Sequence, residues 1–468
     1  MERRKLVALI VVTAVASLSV LSVLLYTGFF DSTYNHGPIR ITSDQEFTEE
    51  NGVTGGSGTE EDPFIIDGWR IGPSDVDLGP EAALVLVKDV TRHFVIRDID
   101  ITGPNVVFGI MLKNCQNGAV HNSTFTLCYQ GVSLYDCRDC AVEDNNISSC
   151  PIGLTVGGTN RTDIKNNQFN REIEGYPAPS GLGIGLRMYS PAEDVTVVGN
   201  RFCGVGLDLD FFTLPDNGSS SGLTIADDNT VNGKPVRFLE NQKNVSLGDL
   251  PVGQIIMFNC TNSLISQSTI AQVGTAISLY KVDGCRISDC TLLNTSSWMG
   301  GIWARDSSDI TIRSNSMSDA LVYLVNCSHV TFDNNELSSF GDGLQIQDCD
   351  NVTISGNLIH ECVIGTRLTG GENITLTGNT LLSNGGGVFA WGVFNLRIFC
   401  NDFIDNNQSV DISRYLESVF FHNDTLGMGN YWSDYDGIDE NEDGIGDTPY
   451  VIESTGQDDY PLMAPVNS

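Results

Sequence analysis

Apolar positions in this chain recur in short alternating runs, not at helical spacing. Between residues 301 and 403 one frame repeats: Ile312-Arg-Ser-Asn315-Ser-Met317, Phe332-Asp-Asn-Asn335-Glu-Leu337, Ile354-Ser-Gly-Asn357-Leu-Ile359, Leu376-Thr-Gly-Asn379-Thr-Leu381 and Ile398-Phe-Cys-Asn401-Asp-Phe403. An apolar residue stands three before each Asn and another two after it. The Asn positions advance by 20, 22, 22 and 22 residues. A period in the low twenties built from strand-like alternation predicts a solenoid of strands.

The frame extends upstream, with its Asn slot filled by Ile99, Ser123, Asn145, Asn167, Asn200, Asn229, Ser268 and Cys290. Fourteen residues before the slot stands glycine (Gly109, Gly131, Gly153, Gly301, Gly343, Gly365, Gly387), and eight before it cysteine (Cys115, Cys137, Cys260, Cys327, Cys349). Between them, Ile110/Leu112, Val132/Leu134, Ile302/Ala304, Val322/Leu324, Leu344/Ile346 and Val388/Ala390 share one parity, which faces them inward. Asn suits a left-handed turn and can ladder through its amide, and the glycine suits a second turn at positive φ. The expectation is an all-β, right-handed parallel β-helix of about 13 coils, roughly 60 Å long, preceded by one N-terminal transmembrane helix.

Four segments follow from this. Residues 1–32 are a membrane anchor or signal segment, because Met1-Glu-Arg-Arg-Lys5 is basic and Leu6 to Phe30 carries no charge. The anchor reading places the chain at the cell surface through residues 6–30. A cleaved signal ending near Ala14-Val-Ala16, giving a secreted protein, is the rival. Residues 33–84 read as an N-terminal cap and first strands, with Asn51-Gly-Val-Thr-Gly-Gly-Ser-Gly-Thr59 as a loop. No Gly-Lys-Ser/Thr follows it, which excludes a phosphate cradle. Residues 85–405 are the β-helix, interrupted by an excursion at about 204–252 in which Asn232 to Asn241 looks like a hairpin. Residues 406–468 form a C-terminal cap.

A formal net charge of −34 argues against nucleic acid or anionic lipid surfaces as partners. The 13 cysteines would suit disulfides outside the cell, but their register stacks Cys115 on Cys137 and Cys327 on Cys349 as buried thiols. Twelve Asn-x-Ser/Thr sequons occur, of which Asn351 and Asn373, beside coil turns, suit glycosylation.

Specific phrases carry a resemblance. Asn51 to Thr59 with Asp62-Pro-Phe64 and Asp67-Gly-Trp69 resembles the opening of the NosD-like β-helix proteins of archaeal cell surfaces. Asn232-Gly-Lys-Pro-Val236, Gly429-Asn-Tyr-Trp-Ser-Asp-Tyr435, Asp443-Gly-Ile-Gly-Asp-Thr-Pro-Tyr450 and Tyr460-Pro-Leu-Met463 are similar to the same group. The resemblance implies a parallel β-helix and a carbohydrate-binding or sugar-hydrolase type module over residues 36–465. It also implies the alternative of an accessory factor in metal-site maturation. Six scattered His and eight Met form no copper cluster, so copper is not carried over.

Three chemical features stand out. In Asp439-Glu-Asn441-Glu-Asp443-Gly-Ile445-Gly-Asp447, oxygen ligands fall at calcium-loop positions, with Ile445 contributing its carbonyl and Asp434 and Asp436 available to complete the sphere. Tyr450 replaces the usual bidentate Glu, and a solvated acidic turn is the rival reading. The outward parity after the Gly slot gives a stripe of Tyr280, Trp303, Arg305, Tyr323, Gln345, Gln347, Arg367, Phe389 and Trp391. Rings, Arg and amides on one face suit a glycan or cell-envelope polymer unless another segment covers them. For an enzyme of the polysaccharide lyase or glycoside hydrolase kind, Asp342, Asp348, Asp306 and Arg367 are the weak candidates.

Overall fold

The computed structural model describes residues 34–467 apart from 73–77, 79–80, 104–106, 172–182, 190–192, 210–221, 296–299, 340, 413–417 and 453–455. The expected anchor or signal at residues 1–32 lies outside the described residues. Among the described residues no helix is long and apolar enough to cross a membrane.

The chain is an all-β parallel solenoid of about 14 turns. Three sheets wall each coil, and within a run of coils each strand pairs in parallel with its equivalent one coil later. Trp303 pairs with Tyr323 and Gln345 with Arg367, as the period requires. The interior is filled by the alternating Ile, Val, Leu and Phe positions, almost all of them fully buried.

The two recurrent polar slots work differently from the sequence expectation. The slot Asn is not itself in the left-handed region; the residue before it is, as in Asp144 (φ 57), Asn166 (φ 55), Asn334 (φ 52) and Gly356 (φ 63). The Asn instead points inward and is buried. Asn357 Oδ1 accepts the Asn335 backbone N–H at 2.8 Å and its side-chain amide at 3.0 Å. Asn357 then donates its own N–H and Nδ2–H to Asn379 Oδ1 at 3.0 and 2.8 Å. One such ladder runs from Asn145 through Asn167 and Asn200 to Asn229, another from Asn315 to Asn430. The backbone amides that the tight corner leaves unpaired are thereby satisfied in the core.

The slot glycines likewise have ordinary negative φ. Six of the seven are glycine because the next coil's backbone approaches too closely, and at Gly301 a Cβ would stand 2.9 Å from the Ala320 Cβ. A Cβ at Gly131 would stand 2.7 Å from the Gly153 carbonyl oxygen, and one at Gly343 2.8 Å from that of Gly365.

The excursion after Asn200 is a change of phase. Thr230–Val231 turns back through Asn232 (φ 50) and Gly233 (φ 75) into Lys234–Glu240, which pairs antiparallel with it. The following strands stack in parallel on Lys234–Glu240, so one sheet is continuous through the hairpin but its strands reverse direction. The enclosed face changes with them. Before the hairpin the core face carries Phe125, Ile147, Phe169, Phe202 and Val231. After it, the residues on that same face are the outward ones, while Ile255, Met257, Ile277 and Leu279 line a new core on the other side. Reversing direction and enclosed face together preserves the winding sense, so two solenoids of one hand are joined side by side along a shared sheet.

The seam is polar as well as apolar. Gln254, fully buried, donates to the carbonyls of Leu207 (2.6 Å) and Thr275 (2.8 Å) and accepts the Leu207 N–H at 3.0 Å. Gly206–Leu209, the last strand of its sheet in the first solenoid, is thus tied to the outer face of the second. At the N-terminus, Val53–Gly55 runs antiparallel to Phe64–Asp67 and ends that sheet.

The cysteines are all free thiols, and 11 of the 13 are buried. Most buried Sγ–H groups sit close to a strand carbonyl, as in Cys115 to Val87 at 3.1 Å. The hydrogen bond with Cys115 pushes Cys137 up to about 12, and burial pushes Cys285 and Cys362 up to about 12.

Candidate functional site

The outward stripe exists as a pair of columns on the shared sheet. One reads Ser278, Trp303, Tyr323, Gln345, Arg367, Phe389 and Asp411; the other reads Tyr280, Arg305, Val325, Gln347, Thr369 and Trp391. Stacking at the coil repeat brings these side chains together, as the sequence predicts. Exposure is another matter. Trp303 is fully buried and Tyr280 is 3% exposed, because the stripe begins at the seam between the solenoids. Neither can meet a ligand, and both are corrected to core residues. Arg305 is partly buried there and leans on Asp306 at 3.3 Å.

Beyond the seam the columns open. Arg367 places its guanidinium 4.9 Å from the centroid of the Phe389 ring and donates Nε to Asp342 Oδ2 at 2.5 Å. Gln345 Nε2 donates to the same Asp342 oxygen at 2.7 Å. Asp342 is nearly buried, so it serves as an anchor that fixes the Arg and the amide in place. Tyr323 donates its hydroxyl to Gln347 Oε1 at 2.6 Å, and Gln347 Nε2 reaches Asp348 at 3.2 Å. Trp391 stands at the far end, 56% exposed. Around the next corner lie Phe394 (53%) and Phe420 (45%), with the Arg397 guanidinium 6.0 Å from the Phe420 ring. Phe394, Arg397 and Phe420 escape the sequence reading because they follow the turn after the stripe strand. Only Phe394 carries a signal in the sequence, since it stands three residues beyond Trp391.

The carboxylates proposed for catalysis do not converge. Asp342 and Asp348 flank opposite ends of Leu344–Gln347, about 20 Å apart along an extended chain. Asp306 and Asp348 occupy one corner two coils apart, about 10 Å by the coil repeat, with Asn326 between them donating to Asp306 at 2.6 Å. The arrangement is one of fixed donors beside rings, suited to holding a ligand.

In the C-terminal loop Glu442 (φ 56) and Gly444 (φ 86) make the turn. Asp439 accepts the N–H groups of Asp443 and Gly444, Asn441 that of Asp443, Asp443 that of Ile445, and Asp447 that of Glu440. Asp434 accepts the Tyr450 hydroxyl at 3.0 Å, and Asp436 is exposed. Side-chain oxygens are spent on the loop's own amides, and among the described residues no three His, Cys, Asp or Glu side chains gather around one point. The thiols stack as neighbours in the core, Cys115 with Cys137 and Cys327 with Cys349, and the imidazoles are dispersed. His422 lies between Asp424 and Asp459, His36 packs on Trp69, and the buried thiols named above are held neutral. The described donors do not form a copper centre.

The family model described as "Periplasmic copper-binding protein (NosD)" matches residues 85–214 and 220–437. No curated protein matches the chain. Among solved structures, a mannuronan C-5 epimerase A-module of Azotobacter vinelandii is 12% identical with a TM-score of 0.31, covering 77% of this chain and 88% of its own. An alginate lyase in complex with a trisaccharide is 13% identical with a TM-score of 0.28, covering 82% and 86%. A periplasmic alginate epimerase is 11% identical with a TM-score of 0.23, covering 77% and 84%.

Proposed function

The chain belongs to the NosD family, and from that premise we propose that it is a binding protein for a hydroxyl-rich envelope polymer or glycan. The observation that carries the reading is Arg367, clamped between the Asp342 carboxylate and the Phe389 ring on the open part of the sheet. Gln345, Gln347 and Tyr323 lie beside it and Trp391 at its end. Sugar C–H faces pack on the rings of Phe389 and Trp391, while the guanidinium and amides meet hydroxyls. Pre-fixed donors lose little side-chain freedom on binding, which favours a weak but specific contact repeated along a polymer.

The N-terminal apolar segment and the family's description support a location in the cell envelope. The test is a glycan array probed with the full chain and two variants. Trp391→Ala and Arg367→Ala should each lower the signal on bound glycans about tenfold, in keeping with the loss of roughly 1.4 kcal/mol from a ring or charged contact. Unchanged signals from both variants, or no glycan bound by the wild type, would sink the reading. Trp303→Ala is unsuitable here because it opens a core cavity.

A further inference from the structure

The first solenoid carries a groove on a different sheet. Its floor is the outward column Val95, Ala119, Ala141 and Asp163, aligned coil on coil. One wall is the corner column His93, Asn117, Asp139 and Arg161, and Glu60 and Pro63, just after the glycine-rich loop, line its N-terminal end. The opposite shoulder is Arg97, His121, Glu143 and Lys165, two residues further along each strand. The cavity measures about 440 Å³, within the range of small-ligand sites. Three coil steps from Val95 to Asp163 span about 14 Å.

The lining is held in place. Arg161 grips Asp139 through Nε and Nη2, both at 2.6 Å, and that pairing holds the Asp139 carboxyl below the usual carboxylate range. Lys165 binds Asp163 at 2.7 Å and stands 3.8 Å from Glu143, which stands 3.5 Å from His121. The glycine-rich loop is fixed against the coil, since the Gly58 carbonyl accepts the His93 N–H at 3.3 Å.

We infer that this groove is a second carbohydrate site, for an uncharged oligosaccharide of a few residues. The floor offers only methyl groups over its first three coils, a surface for C–H faces. The rim offers carboxylates already paired to cations, which accept hydroxyl protons without a net charge to neutralise. Counting the shoulder, the carboxylates (Glu60, Asp139, Glu143, Asp163) outnumber the Arg and Lys side chains (Arg97, Arg161, Lys165), so a uronate chain is disfavoured. The length of this open groove fits a segment of a chain better than a single sugar.

Titration calorimetry of the full chain with cello-, manno-, xylo- and malto-tetraose, a tetrauronate and a glucosamine tetramer tests this. At least one neutral tetraose should bind better than either charged oligomer. Ala141→Trp, which fills the floor from the outside, should weaken it at least tenfold, and Glu60→Ala, on an exposed loop that leaves the coils intact, about threefold. Trp391→Ala should leave this binding unchanged, which separates the groove from the site on the shared sheet. The inference is overturned if no neutral tetraose binds, if a charged oligomer binds more tightly, or if neutral binding survives both groove variants.

Discussion

Replacing Asn357 by Leu removes one rung from the middle of the longer ladder. Asn357 is 1% exposed and engages both neighbours, so the loss falls inside the core. The Asn335 backbone N–H loses its acceptor at 2.8 Å, and the Phe332 carbonyl loses the Nδ2 donor at 2.9 Å. Asn335 Nδ2 keeps the Ile312 carbonyl, so it is not orphaned. The Phe332 carbonyl keeps the Ser355 N–H of the parallel ladder, so one buried backbone amide is left unsatisfied at about 1–3 kcal/mol, and with the lost side-chain bonds to both neighbours the substitution should destabilise by about 3 kcal/mol. Asn357→Ser should cost less, about 1–2 kcal/mol. Ser123 shows why: in the same slot its Oγ accepts the Ile99 N–H at 3.3 Å and donates to the His121 carbonyl at 2.7 Å. Urea unfolding followed by tryptophan fluorescence gives the ranking. Because coils couple mainly to their neighbours, hydrogen exchange of the Asn335 amide gives the local reading. Faster exchange at Asn335 with little change in the Gly131 to Gly153 coils is expected. A Leu variant less than about 1 kcal/mol below wild type, or a Ser variant equal to it, would refute the claim that these amides are structural rungs.

Asp458, fully buried, ends the ladder by accepting Asn430 N–H at 2.7 Å and Trp432 Nε1–H at 3.0 Å. Burial raises its pKa above the ordinary Asp value, against the opposing pull of those donors. A raised folded-state pKa stabilises the fold below the ordinary value and loses that contribution as pH rises through the shifted one. The stability of Asp458→Asn relative to wild type should therefore improve from about pH 4 to neutrality, measured by melting across pH; a flat difference would contradict it. In native protein only Cys203, which is exposed, and the half-buried Cys400 should react promptly with a disulfide reagent, and all 13 only after unfolding. Calcium at the 439–447 loop is proposed from ligand spacing alone. If it binds near 10⁻⁴ M, 10 mM calcium should stabilise the C-terminal cap by about 2.7 kcal/mol, lost in Asp443→Asn; no shift in melting against a chelator control rejects it.

The stack itself was legible because a solenoid repeats one register, and the inward parity of Leu344/Ile346 or Val388/Ala390 needs no partner to be read. The Asn and Gly slots are visible in the sequence, whereas what they do is not. Their roles depend on what the next coil presents, a carbonyl beside Gly131 or an amide below Asn357, and a single coil's sequence does not contain that. The groove on the first solenoid went unread for a related reason. Val95, Ala119 and Ala141 are unremarkable on any one strand, and they make a floor only when successive coils align them between the flanking charged columns.

Trp303 and Trp391 show where periodicity stops being informative. They occupy the same outward face, three and seven coils beyond the hairpin strand, yet one is sealed and the other is 56% exposed. The cause is the reversal at Asn232-Gly233, which puts the outer face of the second solenoid against the last strands of the first. A sequence period is blind to such a switch, because the inward alternation continues unbroken on the new side. The reversal also bounds the site. The seam closes the sheet below Tyr323, and Asp411 ends the column above Phe389, leaving the rows from Tyr323 to Trp391. Those four coils span about 15 Å, so the open face accommodates a short stretch of polymer and leaves the rest of the chain free to continue past either end.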